Sequence, residues 1–340
     1  MEINKKELCP ECDEWIIPEI VEKEERVTVR KEEFIVRIKR AICTNCKKEF
    51  ALGAPGFDEK VLAYDLYRKK HNYLLPEEIK RIREKYGLAQ RAFSRLLGFG
   101  EITIHLYEKG ALPDETHMEM IKLSYDPENI KRIYEDNKEA ISESDRVAFE
   151  KKLYDLLAET KKNKLREVIE DAFNYEPDIY NGFKKFNLDY VVNIYKLILK
   201  FCKMLYTTHM VKILCYIDFI KFKQDNIAFT GCRYIIGEYG PFLDNYDKLF
   251  CYLVDTGVVD SALDYPGGGK VYYFKEEPDM TLFSEKDIKL IKKISEELGS
   301  LTPGKLSEKT HQEFPGWDKD KIGQFISFEN AKNLKIDFQM

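Results

Sequence analysis

Apolar positions fall two apart in two short runs early in the chain, Val27 and Val29 and then Phe34, Val36 and Ile38, around the charged Arg30-Lys31-Glu32-Glu33. A period of two puts apolar side chains on one face of a strand, so the runs predict a β-hairpin. The small and turn-forming residues Ala51-Leu52-Gly53-Ala54-Pro55-Gly56 close this module, and the period then changes. Leu62, Leu66 and Tyr67 predict a helix over about 59–70. Pro76-Glu77-Glu78 opens the next, because proline and acids suit a helix start with its free N–H groups and positive dipole end. Ile79, Ile82 and Tyr86 line its inner face and Gly87 ends it. Further short helices are predicted over about 89–97, closed by Gly98, over about 101–109, ended by Gly110, and from Pro113 onward.

From 125 to 186 the chain is charged and helix-prone, with an apolar stripe that includes Leu153, Leu156, Leu165, Ile169 and Phe173. It reads as a helical connector. The remainder carries most of the apolar mass: two long helices (about 189–205 and 209–223), a Gly/Tyr-rich middle, more helices, and short strands near 271–274. The pattern predicts a mainly α protein with small β elements, divided into 1–56, 57–124, the connector 125–186 and 187–340.

Composition narrows the function classes. The 340 residues are 44% apolar and 13% aromatic, ample for packed cores and unlike a disordered or fibrous chain. A net charge of −5 is too balanced for a protein that coats polyanions, so nucleic acid has to be met by a local patch. The most apolar segment, 188–223, is broken by Asp189, Lys196, Lys200, Lys203 and Lys212, which argues against a membrane span. The opening MEINKKELCPEC lacks the apolar stretch of a signal peptide, so a cytoplasmic protein without membrane partners is expected.

Eight cysteines in a reducing compartment need two explanations. Cys9-Pro10-Glu11-Cys12 and Cys43-Thr44-Asn45-Cys46 have the spacing that lets two thiolates of one turn converge on an ion, and the hairpin between them brings the pairs together. Four thiolates make a closed tetrahedral shell that suits Zn²⁺ and leaves no open position for catalysis. Two disulfides are the alternative, at odds with the intracellular reading. Cys202, Cys215, Cys232 and Cys251 read as small core hydrophobes.

Within 76–123, Gln90, Leu97-Gly98, Ile104 and Tyr107-Glu108-x-Gly110 resemble the repressor-type helix-turn-helix family, in the form found in zinc-finger antitoxins. The resemblance implies that Gln90 meets a DNA phosphate and that Glu101, Ile102, Thr103, His105 and Leu106 face outward from a reading helix; what positive charge there is comes from Arg91, Arg95, Lys109 and a few neighbours. Operator DNA and a homodimer thereby come into consideration. Two departures bear on DNA binding. Ala89 stands where the family usually has a capping Ser or Thr, and Leu106 where it usually has arginine. Segment 71–124 holds eight basic and eight acidic residues, so counterion release contributes little.

The stretch 212–258, with Lys212, Asp218-Phe219, Thr230-Gly231, Tyr234, Tyr239-Gly240-Pro241 and Tyr246, resembles the Panacea domain, a toxin-neutralising module; Ser307, His311 and Trp317 extend the resemblance. It implies that Lys212, Asp218, Tyr234, Tyr239, Gly240, Pro241, His311 and Trp317 bind a partner or organise the surface that does. Bottom-up, Ile213, Leu214, Ile217 and Ile220 form one apolar helix face behind an N-cap at Thr208, with Asp218 on or beside it. A buried carboxylate needs donors, and the hydroxyls of Tyr234 and Tyr239 are candidates. Gly240-Pro241 predicts a turn that exposes Tyr239 and Phe242.

His209, Asp218, His311 and Glu313 form the one conceivable hydrolytic set, and no nucleophile motif, phosphate loop or His-x-x-x-His spacing accompanies them, so no enzyme activity is expected. The resemblances together imply an antitoxin with a cognate protein toxin. A zinc-containing transcription regulator whose last domain senses a ligand or oligomerises is the alternative, and the missing arginine on the reading helix disfavours it.

Overall fold

The computed structural model describes residues 5–263, 269–314 and 319–334, and the chain divides into two compact units, 1–160 and 161–340. The fold is mainly α with small antiparallel sheets. None of the helices among the described residues is long and apolar enough to cross a membrane.

The first unit begins with two-residue strands β1 (Glu7–Leu8) and β2 (Trp15–Ile16), followed by the hairpin β3 (Glu19–Val29) and β4 (Glu32–Ile42) and by β5 (Glu49–Phe50) on β4. The hairpin runs without a break from Glu19↔Ile42 to Val29↔Glu32. Its turn residues Arg30 and Lys31 both have positive φ (49° and 71°), the twist a two-residue turn requires. The predicted alternation holds: Val29, Phe34 and Val36 are buried on one face, where Ala63 and Tyr67 of α1 (Glu59–His71) pack against them. Asp58 caps α1 by accepting from the N–H groups of Lys60 and Val61.

Four short helices follow, α2 (Pro76–Lys85), α3 (Gln90–Leu96), α4 (Thr103–Glu108) and α5 (Glu115–Leu123), around Ile79, Tyr86, Phe93, Leu96, Ile104 and Ile121. At α2, Glu78 reaches back to accept from the Leu75 N–H at 2.7 Å; α3 starts at Ala89 with no side-chain cap. Two arginines join the hairpin and α1 to the α4–α5 loop. Arg30 donates to the Pro113 carbonyl at 2.6 Å, and buried Arg68 donates to the Gly110 carbonyl at 2.6 Å while pairing with Asp65.

Segment 125–186 is shared between two cores. Ile130 and Tyr134 of α6 (Pro127–Asn137) and Phe149 and Leu153 of α7 (Glu143–Ala172) belong to the core of the four short helices, whereas Ile169 and Phe173 belong to that of the second unit. Its apolar stripe thus serves two partners.

The second unit is built round α9 (Thr207–Asp225), preceded by α8 (Leu188–Cys202) and the strand β6 (Met204–Tyr206). Residues 209–220 of α9 are buried on every side, Lys212, Tyr216 and Asp218 included. The one-faced amphipathic helix expected from Ile213, Leu214, Ile217 and Ile220 is instead the central element of its domain. It begins at Thr207 with no side-chain cap, so Thr208 is not an N-cap. Around it lie the hairpin β7 (Tyr234–Gly237) and β8 (Gly240–Leu243), α10 (Tyr246–Asp255), β9 (Asp260–Leu263) and β10 (Lys270–Tyr273), α11 (Glu285–Gly299), and α12 (Pro303–Glu313). β10 pairs with both β6 and β9. Ser284 and Asp287 form the capping box of α11.

Residues 323–334 complete the unit. Their backbone runs along β7, with Ile236 N–H to Gln324 O at 2.9 Å and Ile326 N–H to Tyr234 O at 2.7 Å, and Phe328 stacks on Phe219 of α9 at 4.2 Å between ring centroids. Phe328 is fully buried, so Phe328→Ala should destabilise this unit by about 3–5 kcal/mol, read by urea unfolding. A loss under about 1 kcal/mol would mean the segment is only lightly attached.

Candidate functional site

Three constellations carry chemistry, and each belongs to one unit. The first is the cysteine knot. Its two turns are built alike: Cys9 N–H donates to Glu14 O and Asp13 N–H to Cys9 O, both at 3.0 Å, while Cys43 N–H donates to Lys48 O at 2.9 Å and Lys47 N–H to Cys43 O at 3.0 Å. The fourth residue after each leading cysteine, Asp13 or Lys47, takes positive φ (57° and 61°), which closes the turn. Cys9 Sγ lies 3.7 Å from Cys46 Sγ, Cys12 Sγ lies 3.7 Å from Cys43 Sγ, and all four sulfurs fall within 4.8 Å of one another. A tetrahedron with metal–sulfur distances of about 2.3 Å has an edge of about 3.8 Å, so the donor set fits one four-coordinate ion. Bonded disulfide sulfurs lie about 2.0 Å apart, and these cysteines are free. The N–H groups of Cys46 and Asn45 point at Cys43 Sγ and hold that thiol down to about 6. The site is closed, and the chemistry open to it is to hold a metal ion.

The second is the face of α4. Ile104 and Tyr107 point inward; Glu101, Ile102, His105 and Leu106 are exposed, as are Arg91 and Lys109, and Thr103 is half-buried. Several of these groups are already engaged. Gln90 donates to Glu108 Oε2 at 2.7 Å and its carbonyl oxygen lies 3.1 Å from His105 Nδ1. Glu108 also takes the Arg83 guanidinium at 2.6 and 3.1 Å, and Arg83 reaches the Leu88 carbonyl at 2.8 Å. Arg95 pairs with Glu101. The triad Arg83, Glu108 and Gln90, which sequence reasoning did not assemble, fixes α2, α3 and α4 to one another. Its signal was Glu108 inside Tyr107-Glu108-x-Gly110.

The third lies round α9. The Asp218 carboxylate, fully buried, accepts from the N–H groups of Phe229 (2.9 Å) and Thr230 (3.0 Å), from the Tyr234 hydroxyl (2.7 Å) and from the Thr230 hydroxyl. Tyr234 is therefore its phenol donor and Tyr239 is not. Burial pushes the Asp218 carboxyl up to about 6 against the pull of these donors. Gly231, φ +76°, has no room for a side chain: a Cβ would lie 2.5 Å from the Lys184 carbonyl oxygen.

Along the same helix, Lys212 is buried and its ammonium donates to the Tyr239 carbonyl and, at 3.0 Å, to Thr310 Oγ1. Burial pushes it down to about 8. Gly240 (φ +104°) sits against this pair: a Cβ would lie 2.5 Å from Thr310 Oγ1 and 2.7 Å from Lys212 Nζ. His311 is half-buried beside them, held low by burial and the lysine charge. Pro241 is buried in β8, Phe242 is half-buried against Tyr246, and Tyr239 stands 69% exposed at the turn. Trp317 lies outside the described residues. Sequence reasoning missed Thr310, and it met Glu313 only in the rejected hydrolytic set; Glu313 accepts from Tyr216 at 2.7 Å. Of the lone cysteines, Cys215 and Cys232 are core as expected and Cys202 is half-buried against it, whereas Cys251 is exposed on α10, contrary to the expectation.

Asp218 yields a pH test. Folded, it titrates near 6 rather than its ordinary 3.8, so the folded state holds the proton more tightly. The stability this contributes is full below the unfolded value and is lost as pH rises through about 6. Wild-type stability measured against Asp218→Asn should therefore fall by about 3 kcal/mol between about pH 4 and pH 6.5 and then level off. Parallel curves in urea unfolding across that window would contradict the assignment.

Residues 210–318 match the family described as Antitoxin SocA-like, Panacea domain. No curated protein and no solved structure matches the chain. The match covers most of α9 with Lys212 and Asp218, the Gly231 loop, the hairpin with Tyr239, and α12, so the third constellation lies inside the stretch that is similar to the Panacea domain.

Proposed function

We propose that this chain is the antitoxin of a toxin–antitoxin pair, and that its second unit silences a cognate protein toxin by binding and occluding it, without chemistry. The observation that carries the reading is the Panacea match over 210–318 on the helices and hairpin that form the centre of that unit. Support for binding over catalysis comes from the titratable groups. Asp218 is saturated by donors, Glu313 is held by Tyr216 and Lys309, and His209 Nε2 lies 2.8 Å from the Leu301 carbonyl oxygen, so these groups serve as braces. Lys212 and Gly240 set the turn, and Tyr239 stands exposed at its tip beside Glu238.

We read the ion of the cysteine knot as Zn²⁺, since four thiolates in a closed tetrahedron favour it. Cys9, Cys12, Cys43 and Cys46 would hold it, and its chemistry there is to stabilise a small fold. Operator contact, on this reading, falls to exposed Arg91 and Lys109 and is salt-sensitive, because Gln90 and Arg95 already have protein partners. The same engagement weighs against the stand-alone regulator.

Metal analysis of protein purified under reducing, chelator-free conditions should find about one zinc per chain, and Cys43→Ala should lose it while the second unit stays folded. Zinc-free protein would refute the metal reading. For neutralisation, the cognate toxin is sought in the adjacent reading frame. Residues 161–340, which include the core residues Ile169 and Phe173, should rescue cells expressing that toxin, and Tyr239→Ala should weaken rescue while leaving circular dichroism unchanged. Rescue by 1–160 and not by 161–340 would overturn the assignment.

A further inference from the structure

The long hairpin leaves one edge open. In the order β3–β4–β5, β3 has β4 on one side and, among the described residues, no strand on the other. Hydrogen-bonded and non-bonded pairs alternate along an antiparallel ladder, and the two-residue turn makes Val29 and Glu32 a bonded pair. The odd-numbered residues of β3 therefore bond to β4, and the N–H and C=O groups of Ile20, Glu22, Glu24, Arg26 and Thr28 turn to the open edge. No other backbone group among the described residues bonds to them. Edges of this kind are usually blunted by a bulge, a proline or a short length. β3 is 11 residues long, has no proline and keeps an unbroken register with β4. What it carries instead is charge, in the run Glu22-Lys23-Glu24-Glu25-Arg26.

The position of each charge in the register says what the edge fits. A second copy that meets β3 antiparallel has to set outward-turned residues opposite one another, which confines the register to steps of two. Centred on Glu24, the middle residue of β3, the two copies overlap along the whole strand. Glu22 then faces Arg26, Lys23 faces Glu25, Val21 faces Val27 and Ile20 faces Thr28, each pair occurring twice about the two-fold axis. The sheet's own ion pairs engage Lys23, Glu24 and Glu25, with Glu49, Arg37 and Arg40. Glu22 and Arg26 are exposed on the face opposite to that of Val27 and Val29, and neither has an ion pair among the described residues. Glu24 meets its own copy on the axis, where each has Arg37 at 3.3 Å. One step in one direction sets Lys23 on Lys23 and Glu22 on Glu24; one step in the other sets Glu25 on Glu25 and keeps only Glu24–Arg26 as an attractive pairing. We propose that two copies of this chain pair through the open edge of β3, antiparallel and centred on Glu24, so that their sheets run on as one. The inference is independent of the antitoxin reading, since it concerns the hairpin of the first unit and needs no toxin.

The test is sedimentation velocity of the full-length, metal-containing protein over a concentration series, which should show a monomer–dimer equilibrium. Arg26→Glu sets carboxylates opposite carboxylates and Glu22→Arg sets guanidinium groups opposite guanidinium groups, so each should weaken self-association by at least about tenfold. An equimolar mixture of the two variants should dimerise again, because every guanidinium then faces a carboxylate. The doubly substituted chain, Glu22→Arg with Arg26→Glu, should dimerise on its own, since the exchange keeps the pairing of opposite charges. Circular dichroism and metal content establish that the variants, altered only at exposed side chains, keep the fold. The proposal is overturned if the protein stays monomeric throughout the series, as it would if the edge received a strand of another protein. A dimer that neither single variant weakens, as one built on the helices would be, overturns it too. So does a loss of the dimer in both single variants that neither the mixture nor the double exchange recovers.

Discussion

The second unit depends on one carboxylate that water does not reach. Asp218 sits in the middle of a helix buried on every side, where an ionised group without partners would be prohibitive. Its neighbours meet that demand by bending the chain after α9 so that two backbone N–H groups, a threonine hydroxyl and a phenol converge on its two oxygens. The loop from Phe229 to Tyr234 is thereby pinned to the helix, and the hairpin that begins at Tyr234 inherits its position. Because Ile236 and Tyr234 also bond the 323–326 segment, the carboxylate indirectly fixes where the end of the described chain lies. Lys212, two turns earlier, does the same for the far end of the hairpin through the Tyr239 carbonyl. The two charged groups on α9 are thus a pair of posts between which the hairpin is strung.

Much of this was legible in local spacing. The alternation of Val27, Val29, Phe34, Val36 and Ile38 gave the hairpin, and the Cys-x-x-Cys pairs gave the four-thiol cluster that could hold a metal ion, because both signals act over a few residues. The hairpin continues to Glu19 and Ile42, beyond the readable part, since charged residues such as Glu22, Glu24 and Arg37 occupy its open face and dilute the pattern. The burial of α9 on all sides could not be read, because Lys212, Tyr216 and Asp218 look like a polar edge until their partners are known. Those partners are far along the chain: Thr310 is 98 residues from Lys212 and Glu313 is 97 from Tyr216. Periodicity carries no information at that range. The apolar stripe of 125–186 was read correctly as helical, but a stripe does not say that its first half packs on one core and its second half on another.

In the candidate site, polar residues singled out by resemblance serve first as architecture. Gln90 bridges Glu108 and His105, Tyr234 holds Asp218, and Gly231 and Gly240 exist because neighbouring atoms fill the space a side chain would need. Large apolar side chains nevertheless stand exposed among the charged ones: Ile102 and Leu106 at α4, Tyr239 at the hairpin turn, and Trp15 in the cysteine module. Surfaces of this composition gain most from contact with protein, where apolar area is removed from water.

The two arginines that join the hairpin and α1 to the α4–α5 loop take backbone carbonyls, those of Pro113 and Gly110, as their acceptors. Every residue type supplies a carbonyl. The joint therefore leaves the loop's side chains free of any duty to Arg30 or Arg68: so long as its backbone path is kept, the loop's exposed residues are open to drift under mutation. A lineage that changes what this surface meets would not have to rebuild the connection between the cysteine module and the helices.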